Sequence, residues 1–242
     1  MSISFINFNE LKDNDITYDF HIHTNQTDGQ DSIETMIKAS IENGLNKIAF
    51  TEHVRIDTDW FDRFAESVKE TASKYPGIEV LVGAETKALD NYGNLDISET
   101  IIDKSDIILG SVHRIPDGRG GFLDFSALSP QKLAEIEFEL SIGMLRNSPI
   151  NVLAHPGGMY SSRYGGFPIE YFKELMMLSK ENNKAIELNS RYIKNAYDFL
   201  YSCGEINPKI SIGSDAHKAE NVGNCTKLLS QFQYVDFQKE RI

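Results

Sequence analysis

Cysteine is scarce in this chain: Cys203 and Cys225 are the only two, and neither lies in a Cys-x-x-Cys or Cys/His spacing. That excludes a zinc knuckle and a disulfide framework, and leaves both thiols as reduced packing residues. Long apolar runs are missing as well. No stretch approaches the roughly 18 residues that a bilayer-crossing helix needs. The opening Met-Ser-Ile-Ser-Phe-Ile-Asn-Phe-Asn-Glu has no basic segment followed by an apolar one, so it does not read as a signal peptide. The expectation is a soluble cytoplasmic protein with no membrane contact. Positive charge is in deficit, with 24 Lys and Arg against 36 Asp and Glu and a formal charge of −12. Sequence-blind binding to a phosphate backbone needs clustered Lys and Arg, so nucleic acid is not an expected partner. A small anionic substrate is not excluded, because bound divalent cations can dominate a local field. Composition breaks, low-complexity segments and linkers are absent too, which argues for a single domain over residues 1–242, a length that can bury one sizeable core.

What the chain does have is alternation. Short apolar runs at 16–22, 47–50, 78–82, 106–109, 150–154, 184–188 and 210–213 are separated by amphipathic stretches. Helices are expected near 59–74, 129–146, 167–182 and 193–201, with a last one containing Leu228 and Leu229. Another is capped by Asp31 or Ser32, carries Ile33, Met36, Ile37 and Ile41 on one face and stops at Gly44. Asn91-Tyr92-Gly93-Asn94 reads as a turn, and His155-Pro156-Gly157-Gly158 as a tightly shaped loop. About seven βα units follow, an α/β pattern. In a closed parallel barrel their strand ends gather on one face, where loop side chains converge.

All six histidines, His21, His23, His53, His113, His155 and His217, fall at or just past a predicted strand end, and none falls on a helix. His21 and His23 are two apart on a strand, so they share a face while Ile22 looks the other way. One histidine so placed is usually a surface or hydrogen-bonded core residue. Six of them, with Glu85, Asp215 and Asp28 in equivalent positions, point to metal binding.

Asp19-Phe20-His21-Ile22-His23-Thr24, Asp28-Gly29, Thr51-Glu52-His53, Gly83-Ala84-Glu85, Gly110-Ser111-Val112-His113, Ala154-His155-Pro156-Gly157, Glu187-Leu188-Asn189 and Gly213-Ser214-Asp215-Ala216-His217 form an ordered set over residues 19–217. In this order the chain resembles the PHP superfamily, named for polymerase and histidinol phosphatase domains. The resemblance implies a distorted seven-stranded (β/α)7 TIM-like barrel with its active site at the C-terminal ends of the strands, and two or three divalent ions of the Zn, Mn or Fe class. Carried over by motif, His21, His23, Glu85 and Asp215 would hold the first ion. Glu85 would bridge to a second on His113 and His155, and His53 and His217 would hold a third. Where some family members place a further histidine in the first loop, this chain has Thr27-Asp28-Gly29, which makes Asp28 the candidate.

The function implied is hydrolysis of a small phosphate monoester, such as histidinol phosphate, by a metal-activated bridging hydroxide, with a small phosphorylated molecule as partner. Glu85 and Asp215 would serve catalysis, and Arg163 and Arg191 would stabilise phosphoryl oxygens, as in the histidinol phosphatase branch. Arg55 and Arg114 also follow motif positions and read equally as phosphate ligands or rim ion pairs. Asp19 orients a ligand or the strand end, and Trp60, Tyr160 and Tyr164 line the pocket or pack loops. Two other classes stay open: an amidohydrolase-type attack on a carbonyl, against which the arginines argue, and a non-catalytic metal-binding module of the kind attached to polymerases.

Overall fold

The computed structural model describes residues 3–12 and 15–231; the tail from Tyr234, in which the sequence gives no signal, lies outside them. The strands are β1 (Ile6–Asn7), β2 (Tyr18–Ile22), β3 (Lys47–His53), β4 (Glu79–Lys87), β5 (Ile107–Ser111), β6 (Val152–Leu153), β7 (Ala185–Asn189) and β8 (Lys209–Gly213). The helices are α1 (Ile33–Glu42), α2 (Phe61–Ala72), α3 (Glu99–Lys104), α4 (Pro130–Asn147), α5 (Gly158–Tyr164), α6 (Ile169–Glu181), α7 (Ala196–Ile206) and α8 (Asn224–Gln231). None of the described helices is long and apolar enough to cross a membrane.

The sheet runs in the order β1-β8-β7-β6-β5-β4-β3-β2, parallel from β2 to β8, with β1 antiparallel on β8. The expectation of a seven-stranded (β/α)7 barrel needs correction here. Among the described residues the strands number eight, the seven parallel ones β2 to β8 and the antiparallel β1, and the ladder does not close. Between β2 and the chain just past β8 the backbone pairing is a single bridge of Ile22 and Ala216, through His23 N–H to Ala216 O (2.9 Å) and Ala216 N–H to His21 O (3.3 Å), while the Tyr18 hydroxyl donates to Ile210 O of β8 at 3.2 Å. The reason is local. A bulge in β2 sets two residues, Phe20 and His21, against the single Ala49 of β3, and Asp215 adopts φ +52, turning the chain out of line just past β8. β1 went unread because two residues cannot display a period.

Alternation along the strands sorts side chains into two layers. Ile48, Phe50, Val82, Ala84, Ile108, Leu153, Ile186, Leu188, Ile210 and Ile212 pack outward under the helices. Phe20, Ala49, Ile107, Leu109, Val152 and Ala185 form a separate interior cluster, with Ile3, Phe5 and Leu81 against it. These interior residues come from the early part of their strands, so that end is filled with hydrocarbon and the polar residues are confined to the strand C-termini. Burying each large apolar side chain contributes about 1.5–3 kcal/mol, which fixes the scaffold on which the polar face stands.

The helices follow their caps. Ser32, not Asp31, caps α1 by accepting the Thr35 N–H at 3.2 Å; the Asp31 carboxylate instead accepts the Ala219 N–H at 2.8 Å. Ile41, assigned to the buried face, is 43% exposed, while Met36 and Ile37 are fully buried. α4 starts on a Ser129 cap with Pro130 at its first position. α3 and α5 were not anticipated, being one to two turns long and too short to show an apolar stripe. α5 begins right after Gly157, at φ +76, so the His-Pro-Gly-Gly stretch is a loop that winds directly into a helix.

Candidate metal centre

The bulge in β2 makes the first motif work. Asp19 pairs with Ile48 and Ile22 with Phe50, so Asp19 and Ile22 lie on the helix side, and Phe20 and His21 are both released toward the interior. Asp19 then works from behind. Its buried carboxylate accepts Ser214 N–H (2.9 Å), Ser214 Oγ–H (2.5 Å), Gly223 N–H (2.9 Å) and His21 N–H (3.3 Å), tying β2 to the loop that follows β8. Burial raises the Asp19 pKa against the pull of these donors.

Around Glu85, which β4 delivers at 1% exposure, the structure gathers the predicted residues. His21 Nε2 and His23 Nε2 stand 3.0 Å apart, and each lies 3.4–3.6 Å from both Glu85 Oε2 and Asp215 Oδ1. On the other carboxylate oxygen, Glu85 Oε1 lies 2.9 Å from His155 Nε2 and 3.1 Å from His113 Nε2, which are 3.4 Å from each other. Asp28 Oδ2 lies 3.3 Å from His53 Nε2 and 3.2 Å from His217 Nε2, and His53 Nδ1 approaches Glu85 Oε2 at 2.8 Å. The Asp28 loop is held by Gly29, where a Cβ would sit 2.6 Å from His23 O. It is also held by the buried Glu52, whose carboxylate accepts Thr24 N–H (2.7 Å), Thr24 Oγ–H (2.6 Å) and the Thr27 hydroxyl. Two of the clustered residues, His155 (φ +25) and Asp215 (φ +52), occupy the left-handed region, a strain that packing must offset.

Donor atoms sharing one ion at about 2.1 Å stand about 3.0–3.4 Å apart, and the donor separations here, 2.8–3.6 Å, lie around that range. The charge pattern agrees. Burial raises the Glu85 pKa, but His113, His21 and His53 overcome it and hold the carboxyl well below its usual range. Asp215 is likewise depressed by His23, His21 and His155 against burial, and Asp28 by its hydrogen bond to His53. Burial disfavours charge on His21, yet Glu187 and Glu85 push its pKa well up, and His53 is pushed to about 10 by Glu85 and Asp28. His23, desolvated, drops to about 4 and is neutral at pH 7. Carboxylates this deeply placed demand positive charge, met here by protons on imidazoles and met equally by divalent cations. Glu85 Oε2 and His23 Nδ1 remain buried without a hydrogen bond of ordinary geometry, so protons leave the set incompletely satisfied. The residues suit cations.

The arginines divide. The Arg191 guanidinium donates from Nη1 to Asp215 Oδ2 at 2.9 Å, beside the cluster, with its side chain 57% exposed. The Arg163 guanidinium lies over the Phe125 ring at 3.8 Å, and no described contact joins it to the histidines or carboxylates. Tyr160 packs on Phe167 and Tyr164, and Trp60 on Phe64, so their described ring contacts are with loops and helices. A cleft of about 600 Å³ opens from Glu85, His53 and His113 past Arg55, Lys87, Asp96, Arg114 and Phe122.

Sequence reasoning gave no role to Glu187 or Tyr192. Glu187 Oε1 accepts from His21 Nδ1 at 2.7 Å and Oε2 accepts His155 N–H at 2.5 Å, joining two of the imidazole-bearing segments. Room for it exists because residue 213 is glycine: a Cβ there would overlap Glu187 Oε1 and sit 2.7 Å from His21 Cβ. The signal was a carboxylate in the middle of Ala185-Ile186-Glu187-Leu188-Asn189, a strand buried throughout. Tyr192 O–H donates to Asp215 Oδ2 at 2.9 Å and gave no such signal.

Residues 19–191 match the PHP domain family. A probable phosphatase of Thermoanaerobacter sp. strain X514 is 26% identical over 224 residues, covering 88% of this chain and 84% of that protein. The DNA polymerase/3'-5' exonuclease PolX of Bacillus subtilis strain 168 is 25% identical over 228 residues, covering 90% of this chain and 36% of its own length. Among solved structures, the histidinol phosphate phosphatase of Lactococcus lactis subsp. lactis Il1403, complexed with zinc, L-histidinol and phosphate, superposes with a TM-score of 0.72 at 17% identity, covering 89% of this chain and 91% of that one. At that identity the likeness speaks to the fold.

Proposed function

This chain belongs to the PHP domain family, and we propose that it is a metal-dependent phosphatase whose clustered histidines and carboxylates serve hydrolysis of a small phosphate monoester. The observation that carries this reading is the Glu85 carboxylate, whose two oxygens face separate sets of imidazole nitrogens at the mouth of a cleft of small-molecule size. His21, His23, Glu85 and Asp215 would hold one ion, Glu85, His113 and His155 a second, and Asp28, His53 and His217 a third. Nitrogen and oxygen donors together suit zinc, manganese or iron. When bound, such ions supply a water of lowered pKa and neutralise charge on phosphoryl oxygens.

The chain's own groups do the rest. Glu187 accepts the His21 Nδ1 proton and so leaves the Nε2 lone pair directed at the cluster. Arg191, anchored on Asp215, is placed to donate to a phosphoryl oxygen and stabilise its charge. Arg163 reaches that position only by leaving the Phe125 ring. Tyr192 donates to the same Asp215 oxygen as Arg191 and keeps its carboxylate oriented.

The test is phosphate release by metal-loaded protein from a panel of monoesters that includes L-histidinol phosphate, the ester whose two products occupy the Lactococcus structure. Turnover abolished by chelation and restored by metal is expected. Growth of a histidine auxotroph lacking that phosphatase decides the histidinol phosphate assignment. A folded, metal-loaded sample that releases no phosphate from any monoester but cleaves neutral amides or esters would transfer the assignment to carbonyl hydrolysis.

A further inference from the structure

The cleft that leads away from Glu85 is walled by three cations, Arg55, Lys87 and Arg114, and by one acid away from the candidate ligands, Asp96. Asp96 is already committed. It forms an ion pair with Lys87, both side chains 13% exposed, and its other oxygen accepts the Ile56 N–H at 3.0 Å. Arg55 and Arg114 are exposed and have no ion pair or side-chain hydrogen bond among the described residues. In a chain of net charge −12, two unpaired guanidinium groups facing one cleft concentrate positive potential where the surrounding surface repels anions.

Their backbones are pinned although their tips are not. Arg55 N–H donates to Thr58 Oγ1 at 2.8 Å, Thr58 N–H returns to Arg55 O at 3.1 Å, and Val54 N–H is tied to Glu85 O at 3.0 Å. Arg114 precedes the fully buried Ile115, whose carbonyl accepts the Leu123 N–H at 2.8 Å, and Pro116 bridges to Phe122 to close that loop. Both side chains therefore start from fixed points on the rim of a cleft that Phe122 and Val54 also line. A cleft of about 600 Å³ holds much more than inorganic phosphate.

Resting on the monoester reading and deepening it, we infer that the substrate's leaving group carries a second anionic group, a carboxylate or another phosphate, which Arg55 and Arg114 bind. The chemistry of the step is unchanged: water adds to phosphorus, the ester P–O bond breaks, and the leaving oxygen takes one of the water's protons, giving an alcohol and inorganic phosphate. A leaving group that is cationic, as in L-histidinol phosphate, is disfavoured by the same pair.

The experiment compares kcat/KM of the metal-loaded enzyme for glycerol phosphate, 3-phosphoglycerate, a sugar bisphosphate and L-histidinol phosphate. Calorimetry alongside measures binding of a phosphonate with and without a carboxylate. A preference of about tenfold or more for the doubly anionic esters is expected, equivalent to one charge-assisted contact. The ratio of anionic to neutral substrate should collapse toward unity in Arg55→Gln/Arg114→Gln, and Arg114→Glu should shift preference toward L-histidinol phosphate. The carboxylate and bisphosphate arms distinguish the two anions. Hydrolysis of all esters at similar efficiency, or a ratio unmoved by these substitutions, overturns this inference and leaves the monoester reading standing; no phosphate release from any ester overturns both.

Discussion

Replacing Glu187 with glutamine is the sharpest perturbation of the cluster that replaces none of its proposed ligands. The two carboxylate oxygens each accept a proton, one from His21 Nδ1 at 2.7 Å and one from the His155 backbone at 2.5 Å. A glutamine has one acceptor oxygen, so its amide N–H₂ must face one of these two donors. If the oxygen stays with His21, a buried backbone N–H is left unpaired, which costs about 1–3 kcal/mol. If it stays with His155, the His21 ring is driven to the other tautomer and its Nε2 lone pair is lost to the ion. Loss of the carboxylate also lowers imidazole basicity. Removing such a partner of a ligating histidine typically weakens metal binding about 10- to 100-fold, about 1.4–2.7 kcal/mol. Titration of metal-stripped protein against a competing chelator should show that shift, with turnover recovering at saturating metal. Gly213→Ala should reproduce it, because the new Cβ displaces the same carboxylate. Wild-type affinity in Glu187→Gln would refute the reasoning.

Asp19→Ala strands the Ser214 N–H, the Ser214 hydroxyl and the Gly223 N–H in a buried site, and should cost about 3–5 kcal/mol in urea unfolding of the metal-stripped protein; an unchanged midpoint would contradict this. Asp28→Asn should leave the fold intact and reduce bound metal by one ion per chain relative to wild type, since Asp28 joins His53 to His217; elemental analysis giving the same count would remove Asp28 from the set. Glu137, buried on α4 beneath the start of α5, accepts the Met159 and Tyr160 N–H groups, and burial lifts its pKa to about 7. A carboxyl held above its unfolded value of about 4.3 keeps its proton longer in the folded state, so its contribution is fully present below that value and is lost as pH rises to about 7. Relative to Glu137→Gln, metal-stripped wild type should lose up to about 3 kcal/mol between pH 4 and pH 8; parallel stability curves would refute it.

Much of the site could be read in the sequence because its residues sit where strands end, and strand ends are what alternation marks best. His53 closes β3, Glu85 lies late in β4, and His113, His155 and His217 follow β5, β6 and β8. Geometry alone supplied the rest. The β2 bulge cannot be read from residue types, yet it decides that Asp19 works behind the strand while His21 faces the cluster. That the ladder stays open goes with the same bulge and with the turn at Asp215, neither of which residue types reveal. Arginine tips are the least legible, since a long exposed side chain has no periodic signature. Arg163 is named by analogy and rests on an aromatic ring, whereas Arg55 and Arg114 earn their place only once the cleft is seen.

The central claim is that one carboxylate, Glu85, organises a multi-ion centre on which phosphate release depends. Measuring bound metal and phosphatase turnover on the same samples of wild type and Glu85→Ala tests it most directly. Wild type should carry two or three ions per chain and release phosphate. Glu85→Ala, folded by circular dichroism, should lose most of the metal and the turnover together. A Glu85→Ala protein that keeps its full metal content, or that loses its metal and still releases phosphate at the wild-type rate, would contradict the account.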